Sequence, residues 1–249
     1  MLAVPKPVTG LRKEALAMPS LHIGVFISSA TQEPLKDTPY GDLENYELAD
    51  FLTAWSDLHR EALATVTQRI HPTAFVHPSA IIGDDVIIGP NVRVHEFSTV
   101  RKGSVLCAGA SVGFNCEVTK SFVGENTVLG HRIGINHTLV GTDAHLSAGV
   151  SVAAISMWSD DLRRPDREII MRAPGGIYRC GTAQFGAVIG DRVQTGSSIG
   201  LGPGVAIGRD SRISSGVTLA GRAIPDHSVL SAPHTADTHV RIRPQRGRP

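Results

Sequence analysis

The chain has 249 residues, and 24 Lys and Arg against 23 Asp and Glu leave a formal net charge of +1, so charge gives no warrant for nucleic acid or a membrane surface as its main partner. Aromatics are only 5% of residues while glycine numbers 26, which suits a narrow interior that admits aliphatic side chains and excludes large rings. The three cysteines, Cys107, Cys116 and Cys180, are an odd number without metal-type spacing; they read as buried, idle thiols of a reducing compartment.

Residues 1–20 carry Pro5, Pro7 and Pro19 and no continuous apolar core, a poor signal peptide. No apolar run approaches the ~20 residues of a membrane helix. The expectation is a soluble, cytoplasmic protein. Leu21–Ser28 reads as a strand without an evident partner. Over residues 42–67, Leu48, Phe51, Leu52, Trp55, Leu58, Leu63 and Val66 follow helical spacing with charged residues between them, and Asp42 is placed to cap the start. This helix is expected to cap the open end of the following array, with Trp55 in the core. Residues 1–69 thus form an N-terminal segment.

From Ile70 an aliphatic residue recurs every six positions: Ile70, Val76, Ile82, Ile88, Val94, Val100, Leu106, Val112 and Val118. The register shortens by one residue twice, through Val123, Leu129 and Ile135 and then Val140, Leu146 and Val152. It resumes at Ile189 and runs through Thr195, Leu201, Ile207 and Ile213 to Leu219. Glycine often follows, as at Gly89, Gly113 and Gly130, and a small or β-branched residue sits four places on. Period six fits neither an amphipathic helix nor a hairpin strand. It fits a β-helix of about seven coils over 70–230, in which three six-residue faces make a coil and stacked coils align the aliphatics into interior columns. Glycine beside the aliphatic would permit the corner, either by removing a clashing Cβ or by allowing positive φ.

The pattern fails between Val152 and Ile189, giving an excursion at about 156–187. Long insertions in a regular solenoid are usually functional. Glu168–Arg172 and Ile177–Arg179 flank Ala-Pro-Gly-Gly as a protruding hairpin. Arg163, Arg164, Arg167, Arg172 and Arg179 read either as a phosphate-binding set or as a solvated surface. Residues 231–249, with Arg241, Arg243, Arg246 and Arg248 among prolines, read as a flexible basic tail.

Hexapeptide repeats with a late excursion resemble the left-handed β-helix acyltransferases. Within these the chain is most similar to the C-terminal acetyltransferase domain of bifunctional sugar-1-phosphate nucleotidylyltransferases, the N-acetylglucosamine-1-phosphate uridyltransferase family and its archaeal relatives. The likeness covers about 70–230; residues 1–69 are too short for the family's nucleotidylyltransferase domain and lack its glycine-rich loop. It is best over Val100-Arg101-Lys102-Gly103, through Glu117-Val118-Thr119-Lys120-Ser121, to Gly130-His131.

The resemblance implies a mainly β fold, a homotrimer with sites between neighbouring coils, and acetyl-CoA as acyl donor without a metal. It implies His131 as general base and the Ala148 amide, in Ser147-Ala148-Gly149, as a donor to the thioester oxygen. Arg101, Glu117, Lys120, His137 and His145 are the implied acceptor-binding set. Ser147 is assigned to the acyl-CoA, and Arg209 and Arg212 are candidates for its phosphates. The family's tyrosine after the histidine is Gly134 here, one asparagine is His145 and another is Ala154, which implies a different acceptor, a different pose or lost activity. Two other readings remain: a γ-carbonic-anhydrase-like zinc enzyme using His95, His131 and His137, and an inactive trimeric scaffold.

Overall fold

The computed structural model describes residues 19–232; residues 1–18, and the expected basic tail from 233 on, lie outside them. The chain is mainly β, wound as a parallel β-helix whose three faces are sheets of eight, seven and nine strands. Coil 1 contributes Phe75–Val76, Ile81–Ile82 and Ile87–Ile88 to the first, second and third faces respectively. Coil 2 contributes Arg93–Val94, Thr99–Arg101 and Val105–Leu106; coil 3 adds Ser111–Val112, Glu117–Thr119 and Phe122–Val123; coil 4 adds Val128–Leu129, Gly134–Asn136 and Leu139–Val140. Coil 5 is His145–Leu146, Ser151–Val152 and, after the excursion, Ala187–Ile189; coils 6 and 7 run from Gln194–Thr195 to Ile207 and from Arg212–Ile213 to Ile224.

The six-residue register is the interior. Ile82, Val100, Val118 and Ile135 pair one above another on the second face, and Val94, Val112, Leu129 and Leu146 do so on the first. Nearly all are fully buried in one continuous cluster. Each buried aliphatic side chain contributes roughly 1.5–3 kcal/mol of transfer free energy, so the repeat itself stabilises the spiral.

The glycines after the aliphatics answer one of the two alternatives. A Cβ on Gly113 would stand 1.7 Å from the Gly130 carbonyl oxygen, so this position is empty because the next coil passes there. Positive φ falls two residues later, at Asn91, Asn115, Asn126, Asp143 and Asp210, where short polar side chains tolerate the left-handed region.

The expected hairpin is present: Ile170–Ala173 and Gly176–Arg179 pair antiparallel. Its first strand pairs parallel with Arg222–Ile224 of coil 7. The excursion therefore leaves coil 5, passes coil 6 and covers the last strand edge of the third face, one way to protect an open edge.

The N-terminal segment differs from expectation in two places. Leu21–Ser28 is not a strand: it makes one bridge, His22 to Glu47, and a 3-10 turn at Ile23–Val25. Helix α1, Leu48–Thr65, is capped by the Glu47 side chain, which accepts from Ala49 N and Asp50 N, and not by Asp42. It packs along the third face and not across the open end. Phe51 and Trp55 share a buried cluster with Ile87, Val105, Phe122, Leu139 and Val188, the outward residues of that face, while Phe75 and Ile81 of coil 1 stay exposed. The physical reason is that the third face carries apolar residues on both sides, which makes it the larger apolar surface to cover.

Candidate active site

The corner between the first and second faces stacks Glu96, Phe114, His131 and Ala148 through the coils. Arg132 N donates to Phe114 O, Gly149 N to His131 O and Ser198 N to Ala148 O, each at 2.9 Å. These bonds fix the coil-to-coil path and leave the side chains at the corner pointing out. Beside it, Leu146 points into the core and its strand neighbour His145 points out, as alternation in a strand requires. The result is a cleft of about 430 Å³ that brings together His131, His145, Ser147 and Ala148 with His95, Glu96, Ser111 and Phe114. His131 and His145 are both exposed. Ser147 N donates to Thr195 Oγ1 at 3.0 Å, whereas the Ala148 N–H makes no hydrogen bond among the described residues. A free, rigidly held N–H beside an imidazole is the arrangement acyl transfer uses: one group to take a proton, another to meet an oxyanion.

The remaining expected residues divide. Arg101 and Glu117 stand in neighbouring coils of the second face, joined by an ion pair, and line an adjacent cleft of about 460 Å³ with Phe97, Asn115, Arg132 and Gly134. Gly134 has nothing within 4 Å of where a Cβ would stand, so the space of the family's tyrosine is open. Lys120 and His137 are elsewhere, at the corner between the second and third faces, where both have positive φ. Lys120 Nζ donates to Ser56 Oγ of α1 at 3.1 Å, and burial lowers its pKa. The His137 ring lies edge-on to Trp55 at 6.5 Å and its Nδ1 bonds Asn136 Oδ1 at 2.7 Å. Burial, with help from Lys120 and Lys102, lowers its pKa to about 4. Neither reaches the His131 cleft, because helix α1 holds their corner. The same placement separates His137 from His95 and His131, so the three-histidine set does not form within one chain.

Arg209 is a further correction. Its Nε donates to Phe26 O at 3.1 Å and Nη2 to Gly24 O at 3.0 Å, and it pairs with buried Asp191 at 3.4 Å, so it ties down the N-terminal segment and is not free for a phosphate. Arg212 lies on the first face, donating to Gln194 Oε1 at 2.6 Å. The cysteines are buried and free; burial pushes the Cys180 thiol up to about 12. No helix of the described residues is long and apolar enough to cross a membrane.

His95 lines this cleft beside His131, a companionship that metal-ligand spacing does not suggest. Counting columns finds it: His95, Gly113, Gly130 and Ser147 occupy the same corner position in successive coils, the first three N–H groups donating to carbonyls of the next coil and Ser147 N to the Thr195 hydroxyl.

Two family models match the sequence, the GMPPB C-terminal domain over residues 65–159 and the six-repeat bacterial transferase hexapeptide over 186–221; the excursion lies in the gap between them. A bifunctional protein GlmU of Methanococcus vannielii is 30% identical over 114 residues, 46% of this chain and 26% of the relative. A bifunctional sugar-1-phosphate nucleotidylyltransferase/acetyltransferase of Sulfurisphaera tokodaii is 27% identical over 122 residues, 49% of this chain and 29% of the relative. The chain thus spans under a third of the length of these relatives. Among solved structures, perosamine N-acetyltransferase of Caulobacter crescentus in complex with CoA and GDP-perosamine superposes over 73% of this chain and 62% of its own, at 18% identity and a TM-score of 0.28. The N-acyltransferase AntD of Bacillus cereus does so over 65% and 76%, at 16% identity and a TM-score of 0.36. At such scores no site residue is carried across from either. The chain is a hexapeptide-repeat parallel β-helix that resembles the C-terminal domain of GlmU-type bifunctional proteins.

Proposed function

We propose that this chain is a coenzyme-A-dependent acyltransferase, moving an acyl group, acetyl foremost, to an amine or hydroxyl of a phosphorylated or nucleotide-linked sugar. The observation that carries the reading is the cleft holding the exposed His131 imidazole beside the unpaired Ala148 N–H. The family matches and the GlmU relatives support it. The acyl-CoA thioester supplies the acyl group. His131 takes the proton from the attacking amine or hydroxyl as the new bond to the carbonyl carbon forms. The Ala148 N–H meets the resulting oxyanion; on collapse the C–S bond breaks and the proton passes to the departing thiolate. A base so placed contributes ~10²–10⁴-fold. His145 reaches the same cleft from the next strand and is the acceptor-binding residue of this set. His131 has no side-chain hydrogen bond among the described residues, so its orientation depends on ligand or on a neighbouring subunit, consistent with a homotrimer.

Calorimetry with coenzyme A, followed by a screen of amino and hydroxyl sugars as phosphates and nucleotide conjugates, tests this. Micromolar binding and transfer are expected, with His131→Ala retaining binding and losing transfer. Absence of coenzyme A binding at millimolar concentration rejects the reading in favour of an inactive scaffold.

A further inference from the structure

The excursion builds a further cleft, of about 770 Å³, between itself and the second-face ends of coils 5–7. Its hairpin has two unlike sides. Met171 and Tyr178 pair and are buried with helix α1. The other side shows Ile170 and Ile177, 49% and 48% exposed, and next to them stand Met157 at 73% and Trp158 at 69%. Trp158 is the chain's second tryptophan; the first, Trp55, is buried.

Among these apolar groups sit two arginines. Arg172 of the hairpin and Arg222 of coil 7 are register partners on adjacent parallel strands, and both line the cleft. Like charges directly opposite on neighbouring strands destabilise a sheet. The neighbouring arginines have found carboxylates, Arg179 on Glu168 and Arg163 on Asp161, but among the described residues no carboxylate lies within salt-bridge distance of Arg172 or Arg222, and none lines the cleft. A shared anion would relieve that repulsion, and two forked guanidinium groups on paired strands match a phosphate. An exposed tryptophan beside such a site offers a stacking face for a base.

We propose that this cleft binds a nucleotide, with its phosphates between Arg172 and Arg222 and its base against Trp158. This rests in part on the proposed function, whose donor and acceptor both present such a group; the chemistry is common to both, and experiment separates them.

Because Trp55 is buried, emission that responds to a ligand reports Trp158. Titrating the full chain with ADP, UDP, coenzyme A and inorganic pyrophosphate is expected to give a saturable change with a nucleotide. The double variant Arg172→Gln, Arg222→Gln is expected to weaken nucleotide and pyrophosphate at least tenfold; Trp158→Leu should weaken the nucleotide while sparing pyrophosphate. Displacement of bound ADP by coenzyme A assigns the cleft to the donor; UDP held alongside coenzyme A assigns it to the acceptor. The proposal is overturned if no nucleotide binds at millimolar concentration, if the double variant binds like the parent, or if Trp158→Leu only dissociates the oligomer, making the face a subunit contact. Coenzyme A binding and transfer with unchanged KM values in the double variant would sink this proposal and leave the acyltransferase reading standing. Nucleotide binding here without transfer would do the reverse.

Discussion

At Ala148 the decisive atom belongs to the backbone, so changing the side chain cannot test it. Proline can, because it removes the N–H, and the chain shows the position tolerates it: Pro78 occupies the same corner place in coil 1, just after His77, whose N–H donates to Val94 O as Gly130 N does to Leu146 O. Ala148→Pro is expected to lower kcat by ~10²–10³, the loss typical of one oxyanion donor, with coenzyme A binding and thermal midpoint close to the parent; unchanged kcat would remove the amide from the mechanism. His137 makes a contrasting prediction. Its folded pKa of about 4 lies below the ordinary 6.5, so between those values the unfolded chain binds a proton that the folded chain refuses. The stability contributed by keeping this imidazole neutral is therefore complete above pH 6.5 and is lost as pH drops toward 4. His137→Asn, which suits the positive φ, should show a smaller drop in urea midpoint from pH 7 to pH 5 than the parent. Equal drops would mean this imidazole is not refused its proton. The sequence displayed both histidines equally well; that one is open to solvent and the other lies under Trp55 depends on a helix packed from outside the repeat.

At the scale of elements, the repeat was legible and the docking of the N-terminal segment was not, although a signal was present. Strands of the first face alternate exposed and buried, as in Arg93–Val94 and His145–Leu146. Those of the third face read as apolar pairs buried on both sides, as in Ile87–Ile88, Val105–Leu106, Phe122–Val123 and Leu139–Val140. Doubly apolar strands require cover on both faces, which is where helix α1 lies. Reading one residue per six found the interior and overlooked the second of each pair. The latch of this layer was beyond pattern reading, because its members are far apart in sequence. Asp191, 1% exposed, accepts from Ser28 Oγ at 2.7 Å and Thr142 N at 2.8 Å and faces Arg209. Asp191→Ala removes the carboxylate facing Arg209 and leaves the Ser28 hydroxyl and the Ser28 and Thr142 amides without that acceptor, and is expected to cost ~3–5 kcal/mol in urea unfolding. Proteolysis should then begin within residues 21–46 before the coils; a loss under about 1 kcal/mol would show the latch to be incidental.

For the whole molecule, one chain leaves unfinished surface where the proposed chemistry sits. Phe97 and Phe114 pack edge to face, 5.8 Å between ring centres, at the corner that carries His131, yet they are 61% and 40% exposed. Phe97 also holds a positive φ of 57°, an unfavourable conformation for a bulky residue. Phe75 and Ile81, at 47% and 64%, extend the apolar surface to coil 1. Burying a phenylalanine contributes roughly 1.5–3 kcal/mol, and threefold closure would cover the ridge once per subunit while walling the His131 cleft. The parent is therefore expected to sediment as a trimer at micromolar concentration. Phe97→Glu places a charge in that contact and should shift the protein toward monomer with its β-rich circular dichroism intact, because Phe97 is outside the core cluster. Transfer should fall in proportion to the trimer remaining and recover as concentration rises. A monomeric variant with full kcat at every concentration would show that one chain completes the site alone, and the orientation of His131 would then have to come from the ligand.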